Sequence, residues 1–353
     1  MLKTKTKGLF VDFSEYAMLL ARTTSFKTPV HIEAITEYQP DDPEEAAEFI
    51  RDFAQLKGGT YQPSNCAIYP TSRFIRRFTL DVQAKNKNQN YFSDTLSSQF
   101  RVDPTKNMVQ ILKGHNGSEA DLEKGTDKEL MYVGAPTEEF REQQEKLLSY
   151  GVYPSSLEIG TVSTIGGLMD YMEARGLTTP TLILEITAEN SNVFIFRKDM
   201  LDVSRPISFG WNSMYPVIQQ ELGLKDESSA RKIFYSNTFD FTEMGPKLLR
   251  KMLKELQAST GFYEVQTGQT IGQIFLSLLP KNLNWVSQIL ARSLGVDVIE
   301  IDFPAWIKSQ NITLAEEVDV ASLDNRWIGL FSLMGDYSAE DKDLEKVKEG
   351  SSA

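Results

Sequence analysis

Two segments about half the chain apart have the same layout, and this repetition constrains the fold more than any other feature. In each segment an apolar run ends in a carboxylate, passes through a short polar turn and continues as a second apolar run. The runs are residues 9–12 and 17–21 in the first segment, and residues 182–185 and 193–196 in the second. This pattern is typical of a β-hairpin. Two such hairpins predict two halves that are variations of one fold.

The size of the chain agrees with two or more compact lobes. It has 353 residues, of which 41% are hydrophobic and 10% aromatic, enough for substantial cores. The formal net charge of −12 argues against nucleic-acid partners and against adsorption to an anionic membrane. We therefore expect any membrane association to be indirect, through another protein.

The N-terminal region and the single cysteine indicate a cytoplasmic protein. Cys66 cannot form an internal disulfide, and its apolar surroundings favour a buried structural role. Asp12 and Glu15 interrupt the first apolar stretch, so we expect no signal peptide. No apolar run approaches the roughly 20 residues of a membrane-spanning helix.

Patterning divides the chain into two lobes with an insertion. The first lobe takes residues 1–81, with an alternating third strand at 30–38, a helix at 41–56 and strands at 65–69 and 74–80. Polar, Asn-rich and Gly-containing stretches mark an inserted small α+β subdomain at 82–160. Its predicted elements are helices 91–100 and 137–150 and strands 108–112, 130–133 and 156–159.

The remainder of the chain completes the first lobe and forms the second. Residues 161–179 contain a helix that returns to the first lobe, and residues 180–335 form the second lobe, with a helical subdomain at about 223–268. Residues 336–353 are predicted to be a mobile charged tail. The other elements predicted in the second lobe are strands 200–206, 271–279 and 296–301 and helices 215–222, 242–259, 284–294 and 325–334.

The helix predicted at 242–259 has a strongly basic face. Its apolar positions lie on one side, and the other side has Lys247, Arg250, Lys251, Lys254 and Glu255. Two interpretations remain: a solvated surface face, which is the commoner case, or a basic patch that binds a partner.

Few residues predict metal or nucleophilic chemistry. His31 and His115 are the only histidines, and neither has a cysteine or carboxylate beside it at metal-ligand spacing. Cys66 has no histidine near it in sequence, which disfavours a nucleophilic role.

The two hairpin turns also lack the glycines that phosphate binding requires. Glycine lets backbone amides approach an anion without an intervening Cβ atom. The turns at 13–16 and 186–190 contain none, and Glu15 and Glu189 place negative charge there. The residues therefore disfavour a bound nucleotide phosphate.

The order of these parts resembles the actin-like ATPase superfamily, and most closely the PilM family of type IV pilus assembly proteins, relatives of FtsA. Val11-Asp12-Phe13-Ser14-Glu15 stands where the family has a loop of the type D-I-G-S-S, and Glu185-Ile186-Thr187 stands where it has D-I-G. Residues 274–280 match a strand of the type I-V-L-S-G-G up to Ser277, and then have Leu and Pro in place of the glycines.

Other segments follow the same scheme. Residues 150–158 resemble the crossover A-G-L-x-P, residues 198–210 resemble the run R-D-G-x-L-x-x-S-R-x-I-P-I-G, and residues 327–330 resemble the closing I-G-L-A helix. The insertion after Leu80 lies where PilM and FtsA carry their small subdomain. The resemblance spans roughly residues 8–335 and implies an α/β, actin-like (ribonuclease H-like) fold with two lobes.

The resemblance also implies a nucleotide cleft between the lobes, degenerate in this chain. Its residues are Asp12, Ser14, Glu15, Glu185, Thr187 and Ser277. All three loops lack the family's glycines, so we expect no cofactor, no metal and no catalysis. The alternative is a working ATPase or sugar kinase, in which Asp12 and Glu185 hold a hydrated magnesium ion beside ATP.

The resemblance implies that this chain has the other role of the family, which is protein binding. It is a cytoplasmic scaffold of a type IV pilus or type II secretion platform, peripheral to the inner membrane, which captures the N-terminal tail of a PilN-like membrane protein. No residue of that peptide groove can be assigned, and self-association is left open. A third interpretation is a structural adaptor with the same fold and no connection to pili.

Overall fold

The computed structural model of the chain describes residues 7–55, 59, 61–115, 117–122, 127–197, 200–236 and 238–335. The predicted tail at 336–353 lies outside these residues. Contacts divide the chain into two units. The first unit runs to Tyr171 and regains Asp302–Leu323 and the residues from Trp327, and the second consists of Met172–Ile301 and Asp324–Arg326.

Strands and helices alternate along much of the chain. The strands are β1 (Gly8–Phe13), β2 (Met18–Thr23), β3 (Val30–Tyr38), β4 (Gln62–Ile68), β5 (Phe74–Thr79), β6 (Asn107–Lys113), β7 (Glu129–Pro136), β8 (Val152–Ile159), β9 (Thr181–Ile186), β10 (Ser191–Arg197), β11 (Met200–Ile207), β12 (Gln273–Ser277), β13 (Asp297–Val298) and β14 (Ile312–Leu314). The helices are α1 (Pro43–Ala54), α2 (Val82–Lys87), α3 (Tyr91–Phe100), α4 (Thr137–Ser149), α5 (Gly160–Ala174), α6 (Tyr215–Leu222), α7 (Glu227–Tyr235), α8 (Gly245–Leu248), α9 (Arg250–Thr267), α10 (Asn284–Leu294), α11 (Phe303–Ser309) and α12 (Trp327–Ser332).

The first unit is built on a six-stranded sheet with the order β14-β3-β2-β1-β4-β8. β1, β2 and β3 form the predicted antiparallel meander, and β4 and β8 continue the sheet in parallel with β1. One face of this sheet packs its buried aliphatic side chains against α1 and α4. The carboxylate of Asp42 caps α1 by accepting hydrogen bonds from two amides of its first turn, a contribution of about 1 kcal/mol.

A separate small sheet with the order β5-β7-β6 forms the inserted part of the first unit. Its sheet and helix α3 share a cluster of buried aromatic and aliphatic side chains, including Phe78, Tyr91 and Tyr132. The insertion therefore begins before residue 82, because β5 belongs to the small sheet. It also ends before residue 160, because β8 pairs in parallel with β4 of the large sheet. Apolar patterning identifies a strand but not its partner, so both boundaries differ from the predicted ones.

The second unit is built on a five-stranded sheet with the order β11-β10-β9-β12-β13. This order matches β3-β2-β1-β4-β8 of the first unit strand for strand. The predicted β-α-β step is confirmed, since β12, α10 and β13 follow in sequence and the two strands pair in parallel. The last strand is shorter than predicted, at residues 297–298.

The two hairpins repeat each other at a constant spacing of 173 positions. Asp12 pairs with Leu19 in the first hairpin, and Glu185 pairs with Asn192 in the second. Both pairs therefore map onto each other with the same offset. The predicted duplication of one fold is confirmed at the level of strand register.

A β-bulge recurs at the same place in both sheets. The register shifts between Arg22 and Thr23 where β2 pairs with β3, and between Ile195 and Phe196 where β10 pairs with β11. These positions are again 173 residues apart. Because a bulge increases the local twist of a strand, both sheets are distorted at the same position.

The C-terminal part of the chain returns to the first unit, whereas the sequence placed residues 180–335 in the second lobe. β14 adds to the edge of the first sheet beside β3, and α12 lies against β1 and β2. β14 has three residues, too few to show a period, and every residue of α12 is buried. A segment that is buried on all sides has no polar face to show which core it joins. Among the described residues, no helix is long and apolar enough to cross a membrane.

Three further differences concern helices. α2, α7 and α11 are not among the predicted elements. The helix predicted at 242–259 is divided at Leu249 into α8 and α9, and α9 continues to Thr267. Residues 223–268, predicted as a helical subdomain, contain α7, α8 and α9 and lie in the second unit.

Candidate functional site: two repeated turns and a third loop

Asp12 lies at the end of β1 and is covered by residues of its own unit. Its side chain is buried, and its Oδ2 accepts a hydrogen bond of 3.1 Å from the hydroxyl of Tyr69, which follows β4. A Cβ atom added to Gly329 of α12 would lie 2.9 Å from Asp12 Oδ2 and 3.0 Å from Thr164 Oγ1. A side chain at position 329 would therefore require Asp12 or Thr164 to shift, and the Gly329 backbone lies close to the carboxylate. Asp12 is part of a packed polar cluster inside the first unit.

The arginine next in this cluster is also buried and fully engaged. Arg73 Nε donates to Thr161 Oγ1 at 2.7 Å, and its Nη1 donates to the Pro70 carbonyl at 2.9 Å. Its guanidinium lies 5.4 Å from the centre of the Tyr69 ring, within cation–π range. Tyr69 therefore contacts Asp12 through its hydroxyl and Arg73 through its ring.

The turn after Asp12 is closed by Ser14. The Ser14 amide donates to the Ala17 carbonyl at 3.1 Å, and the Ser14 hydroxyl accepts from the amides of Tyr16 and Ala17, each at 3.3 Å. The same hydroxyl donates to the Ala17 carbonyl at 3.1 Å. Three amides of this turn therefore have partners inside the turn. Glu15, at its tip, is exposed.

The turn after Glu185 is closed in the same way by Thr187. The Thr187 amide donates to the Asn190 carbonyl at 2.8 Å, and the Asn190 amide donates to the Thr187 hydroxyl at 3.3 Å. Thr187 and Asn190 lie 173 positions after Ser14 and Ala17, and the hydrogen bonds between the two residues of each pair repeat. A hydroxyl residue two positions after the acid is a common feature of both turns.

A neighbouring segment covers the second turn. The amides of Trp211 and Asn212 donate to the carbonyls of Thr187 and Ala188 at 3.0 and 2.9 Å. The Asn212 side-chain amide donates to Glu189 Oε1 at 2.7 Å. A Cβ atom added to Gly210 would lie 2.4 Å from the Ala188 carbonyl oxygen, so this contact requires glycine.

The third loop begins at Ser277, which lies beside Glu185. The two residues are register partners in the parallel pair β9 and β12, and Glu185 is also the partner of Asn192 in β10. Direct partners point to the same face of a sheet. The second unit therefore has a buried polar row of Asn192, Glu185 and Ser277, where the first unit has Leu19, Asp12 and Ala67.

Donor atoms of Asn192 and Ser277 in this row have no hydrogen-bond partner among the described residues. They are the Asn192 Nδ2 and Ser277 Oγ atoms, in side chains that are 8% and 4% exposed. Each places a donor next to the Glu185 carboxylate. Asn192 is absent from the predicted site, although a polar residue between apolar strand positions is a signal that sequence reasoning can use.

The residue after Ser277 keeps a backbone conformation that favours glycine. Leu278 has a φ of 57°, in the left-handed region, and is 5% exposed. For a residue with a Cβ atom this conformation costs roughly 1–2 kcal/mol. The third loop therefore has a leucine in a backbone conformation that favours glycine.

The histidine and cysteine candidates considered from the sequence have structural surroundings where the structure describes them. Nδ1 of His31 lies 2.9 Å from Thr313 Oγ1, a contact between β3 and β14. Cys66 is buried, and burial raises the pKa of its thiol, which opposes formation of the nucleophilic thiolate. Among the described residues, no group of three His, Cys, Asp or Glu side chains is arranged to hold a metal.

The predicted site residues thus form two groups. Asp12, Ser14 and Glu15 lie in the first unit, and Glu185, Thr187 and Ser277 lie in the second. Within each unit the acid and the hydroxyl residue meet at one end of the sheet, as the hairpin pattern predicts. Sequence reasoning missed Tyr69 and Thr164, which approach Asp12 from distant parts of the chain.

Comparison with known proteins gives matches at the level of structure alone. No family model matches the chain, and no curated protein sequence matches it. The fold is similar to that of a PilM-PilN type IV pilus biogenesis complex, with a TM-score of 0.67 and 14% identity over 94% of this chain and 98% of that chain.

Two further solved structures are similar at lower TM-scores. A Bacteroides thetaiotaomicron protein with an actin-like ATPase fold and unknown function has a TM-score of 0.44 and 10% identity, over 88% of this chain and 96% of that chain. The cytoplasmic domain of EpsL, an inner membrane component of the type II secretion system of Vibrio cholerae, has a TM-score of 0.40 and 9% identity, over 93% of both chains.

The fold class follows from the repeated sheets and the full-length similarity. The chain has an actin-like α/β fold, in which two units repeat one sheet order and the first unit carries a small inserted sheet. Its fold resembles that of PilM, as the sequence predicts.

Proposed function

We propose that the chain is a non-catalytic scaffold of a type IV pilus assembly platform, which binds the cytoplasmic tail of a membrane protein. The proposed absence of catalysis rests on one observation: Ser14 and Thr187 close both repeated turns with hydrogen bonds. In this proposal the actin-like fold is kept for protein binding, and its nucleotide chemistry is lost.

The turn geometry supports the loss of nucleotide binding. A phosphate is held by backbone amides that point outward and have no other acceptor. Here the amides of Ser14, Tyr16, Ala17, Thr187 and Asn190 all donate inside their own turns. Opening them would break existing hydrogen bonds, each worth about 0.5–1.5 kcal/mol. The exposed carboxylates of Glu15 and Glu189 would in addition repel a polyphosphate.

The cover over Asp12 supports the same conclusion. A carboxylate that orients a hydrated magnesium ion needs room for the water shell of the ion. Asp12 instead accepts a hydrogen bond from Tyr69 and lies against the Gly329 backbone. We infer that it stabilises the first unit and binds no ion.

The similarity to PilM supports the proposed partner. The similar structure is a complex of PilM with PilN, and the likeness covers 94% of this chain. By analogy of fold, we propose that this chain binds the N-terminal tail of a PilN-like protein on the cytoplasmic side of the inner membrane. A type II secretion platform is the alternative setting.

The polar row in the second unit favours a second candidate function. Asn192 and Ser277 each place a donor beside the Glu185 carboxylate. The three side chains together can hold a polar ligand or a hydrated ion. A functional actin-like ATPase that binds ATP and magnesium would use this row. Turnover lost in Asp12→Ala would support that alternative, and an unchanged near-zero rate would remove it.

Titration with a synthetic tail tests the scaffold proposal. The peptide is the cytoplasmic N-terminus of a single-span membrane protein encoded beside this chain, and the control is the same composition in scrambled order. We expect micromolar binding of the native peptide, unchanged by ATP and magnesium. No difference between native and scrambled peptides, or binding that requires ATP, would refute the proposal.

A further inference from the structure

Helix α9 has an exposed face that its own unit does not explain. Its inner face packs through Met252, Leu256 and Tyr263, which are buried. On the outer face, Phe262 is 63% exposed and Val265 is 87% exposed. Among the exposed large apolar side chains of the described residues, these two have the highest values and lie one turn apart. Contiguous exposed apolar surface marks interaction sites, whereas single scattered apolar residues are ordinary.

The other half of the same face is cationic. Arg250, Lys251 and Lys254 are exposed at the start of α9. Successive helical residues are about 100° apart, so these three cations and the two apolar residues fall within an arc of roughly 120°. We call the outer surface of residues 250–265 the α9 face.

Local structure does not account for these charges. The first turn of α9 has Arg250 and Lys251 and no acid, whereas a helix N-terminus favours negative charge. The neighbouring acid Glu255 pairs with Arg205. Arg250 and Lys254 have no ion-pair partner in the part of the chain that the structure describes. Lys251 Nζ donates a hydrogen bond to the Ser208 carbonyl at 2.7 Å. Arg250 and Lys254 therefore remain available to an anionic partner, and Lys251 adds its charge beside them.

We propose that the α9 face binds the surface of an anionic lipid bilayer directly. Lipid phosphates complement the unpaired cations, and the acyl boundary accepts Phe262 and Val265. Both apolar side chains project outward, as their exposure shows. A fluid bilayer accepts projecting side chains without a matching cavity, which a protein partner would have to supply.

The net charge of the chain does not prevent this contact. The value of −12 belongs to the whole chain, and salt screens charges beyond a Debye length of about 10 Å at 0.1 M. A bilayer in contact with α9 therefore responds mainly to Arg250, Lys251 and Lys254. The charge of the entire sequence predicts indirect membrane association, and the distribution of charge on one helix gives the reason to propose a direct one.

Vesicle flotation with the full chain tests the proposal. The probes are vesicles of phosphatidylethanolamine and phosphatidylglycerol, with neutral phosphatidylcholine vesicles for comparison. We expect binding to the anionic vesicles, weakened by salt, and little binding to the neutral ones. The vesicles contain no protein, so the result does not depend on the proposed tail binding.

Two pairs of charge reversals separate local charge from total charge. Arg250→Glu/Lys254→Glu alters the α9 face, and Arg292→Glu/Lys308→Glu alters exposed cations on α10 and α11. Both pairs change the formal net charge from −12 to −16, because each reversal changes it by two. We expect the α9 pair to weaken binding by about 25-fold or more, because each cation removed accounts for about fivefold. The control pair should change binding far less.

A gain of binding gives a second test that does not rely on damage. Gly261 lies on the α9 face between Lys254 and Val265, and a Cβ atom added there meets nothing within 4 Å. Gly261→Leu should therefore fold normally and tighten vesicle binding, whereas Phe262→Ser/Val265→Ser should weaken it.

Three results would overturn the proposal. They are no binding of the unaltered chain to anionic vesicles, equal effects of the two charge-reversal pairs, or no gain from Gly261→Leu. If the α9 variants instead weaken capture of a purified membrane partner while vesicles are not bound, the face belongs to a protein contact and the membrane proposal is wrong.

Discussion

The strained backbone at Leu278 leads to a prediction whose sign is unusual. At most buried positions a Leu→Gly variant is less stable than a Leu→Ala variant, because glycine loses more backbone entropy on folding, by roughly 0.5–1 kcal/mol. Leu278 has a φ of 57°, where alanine keeps the left-handed strain of about 1–2 kcal/mol and glycine does not. We therefore expect Leu278→Gly to be more stable than Leu278→Ala by about 0.5–1 kcal/mol.

Both variants should still be less stable than the unaltered chain. Leu278 is 5% exposed, and truncation of a buried leucine to alanine costs about 2–5 kcal/mol. The order of stability should therefore be Leu, then Gly, then Ala. Removal of the strain recovers only part of the lost packing.

Urea unfolding followed by tryptophan fluorescence measures the difference. Trp211 and Trp285 lie in the same unit as Leu278 and report on its unfolding. The matched control is Leu256, a fully buried position inside α9, where Leu256→Ala should be more stable than Leu256→Gly by about 1 kcal/mol. If alanine is as stable as glycine at position 278, the third loop does not keep a glycine-type conformation in solution.

Three further predictions concern the first unit. Tyr69→Phe should lower the free energy of unfolding by about 1–3 kcal/mol, because the buried Asp12 carboxylate loses a donor, and Tyr61→Phe at a half-exposed position should change nothing. Gly329→Ala should cost about 1–3 kcal/mol, since its Cβ atom would crowd Asp12 and Thr164, whereas Gly261→Ala has open space and should be neutral or stabilising. The hydrogen bond and charge of Lys7, together with Arg22, hold the pKa of Glu33 below its ordinary value of 4.5. The ionised Glu33 therefore stabilises the fold at neutral pH, and this stabilisation is lost as the pH falls below 4.5. Glu33→Gln should therefore show a shallower loss of stability on acidification, and an identical acid profile for both proteins would contradict this assignment.

Hairpins, the duplication and most elements can be predicted from the sequence because they depend on local signals. Alternation and turn residues define Val30–Tyr38, and apolar periodicity defines helices such as Asn284–Leu294. The two acids at equivalent turns define the repeat, and the spacing of 173 positions confirms it. The periodicity of the side chains is enough for each of these features.

The partners of the elements could not be predicted in the same way. The sequences of β5 and β8 fit either sheet equally well. Strand pairing places β5 in the small inserted sheet and β8 in the large sheet, which is the reverse of the predicted boundaries. β14 is too short to show a period, so its return to the first sheet has no local signal. Pairing depends on contacts between residues far apart in sequence.

The candidate site was predictable in its acids and not in their surroundings. Asp12 and Glu185 follow from the hairpin pattern, but the cover over Asp12 comes from Tyr69, Thr164 and Gly329, which are distant in sequence. The absence of glycine from both turns leads to the proposal that this chain binds no phosphate. The hydrogen bonds of Ser14 and Thr187 supply a physical mechanism, because the amides are already used.

Calorimetric titration of the full chain with ATP and magnesium, combined with a phosphate-release assay, tests the non-catalytic proposal most directly. We expect no micromolar binding and no turnover above background, for the unaltered chain and for Asp12→Ala alike. Micromolar binding with turnover that Asp12→Ala abolishes would contradict the proposal and establish the chain as an actin-like ATPase.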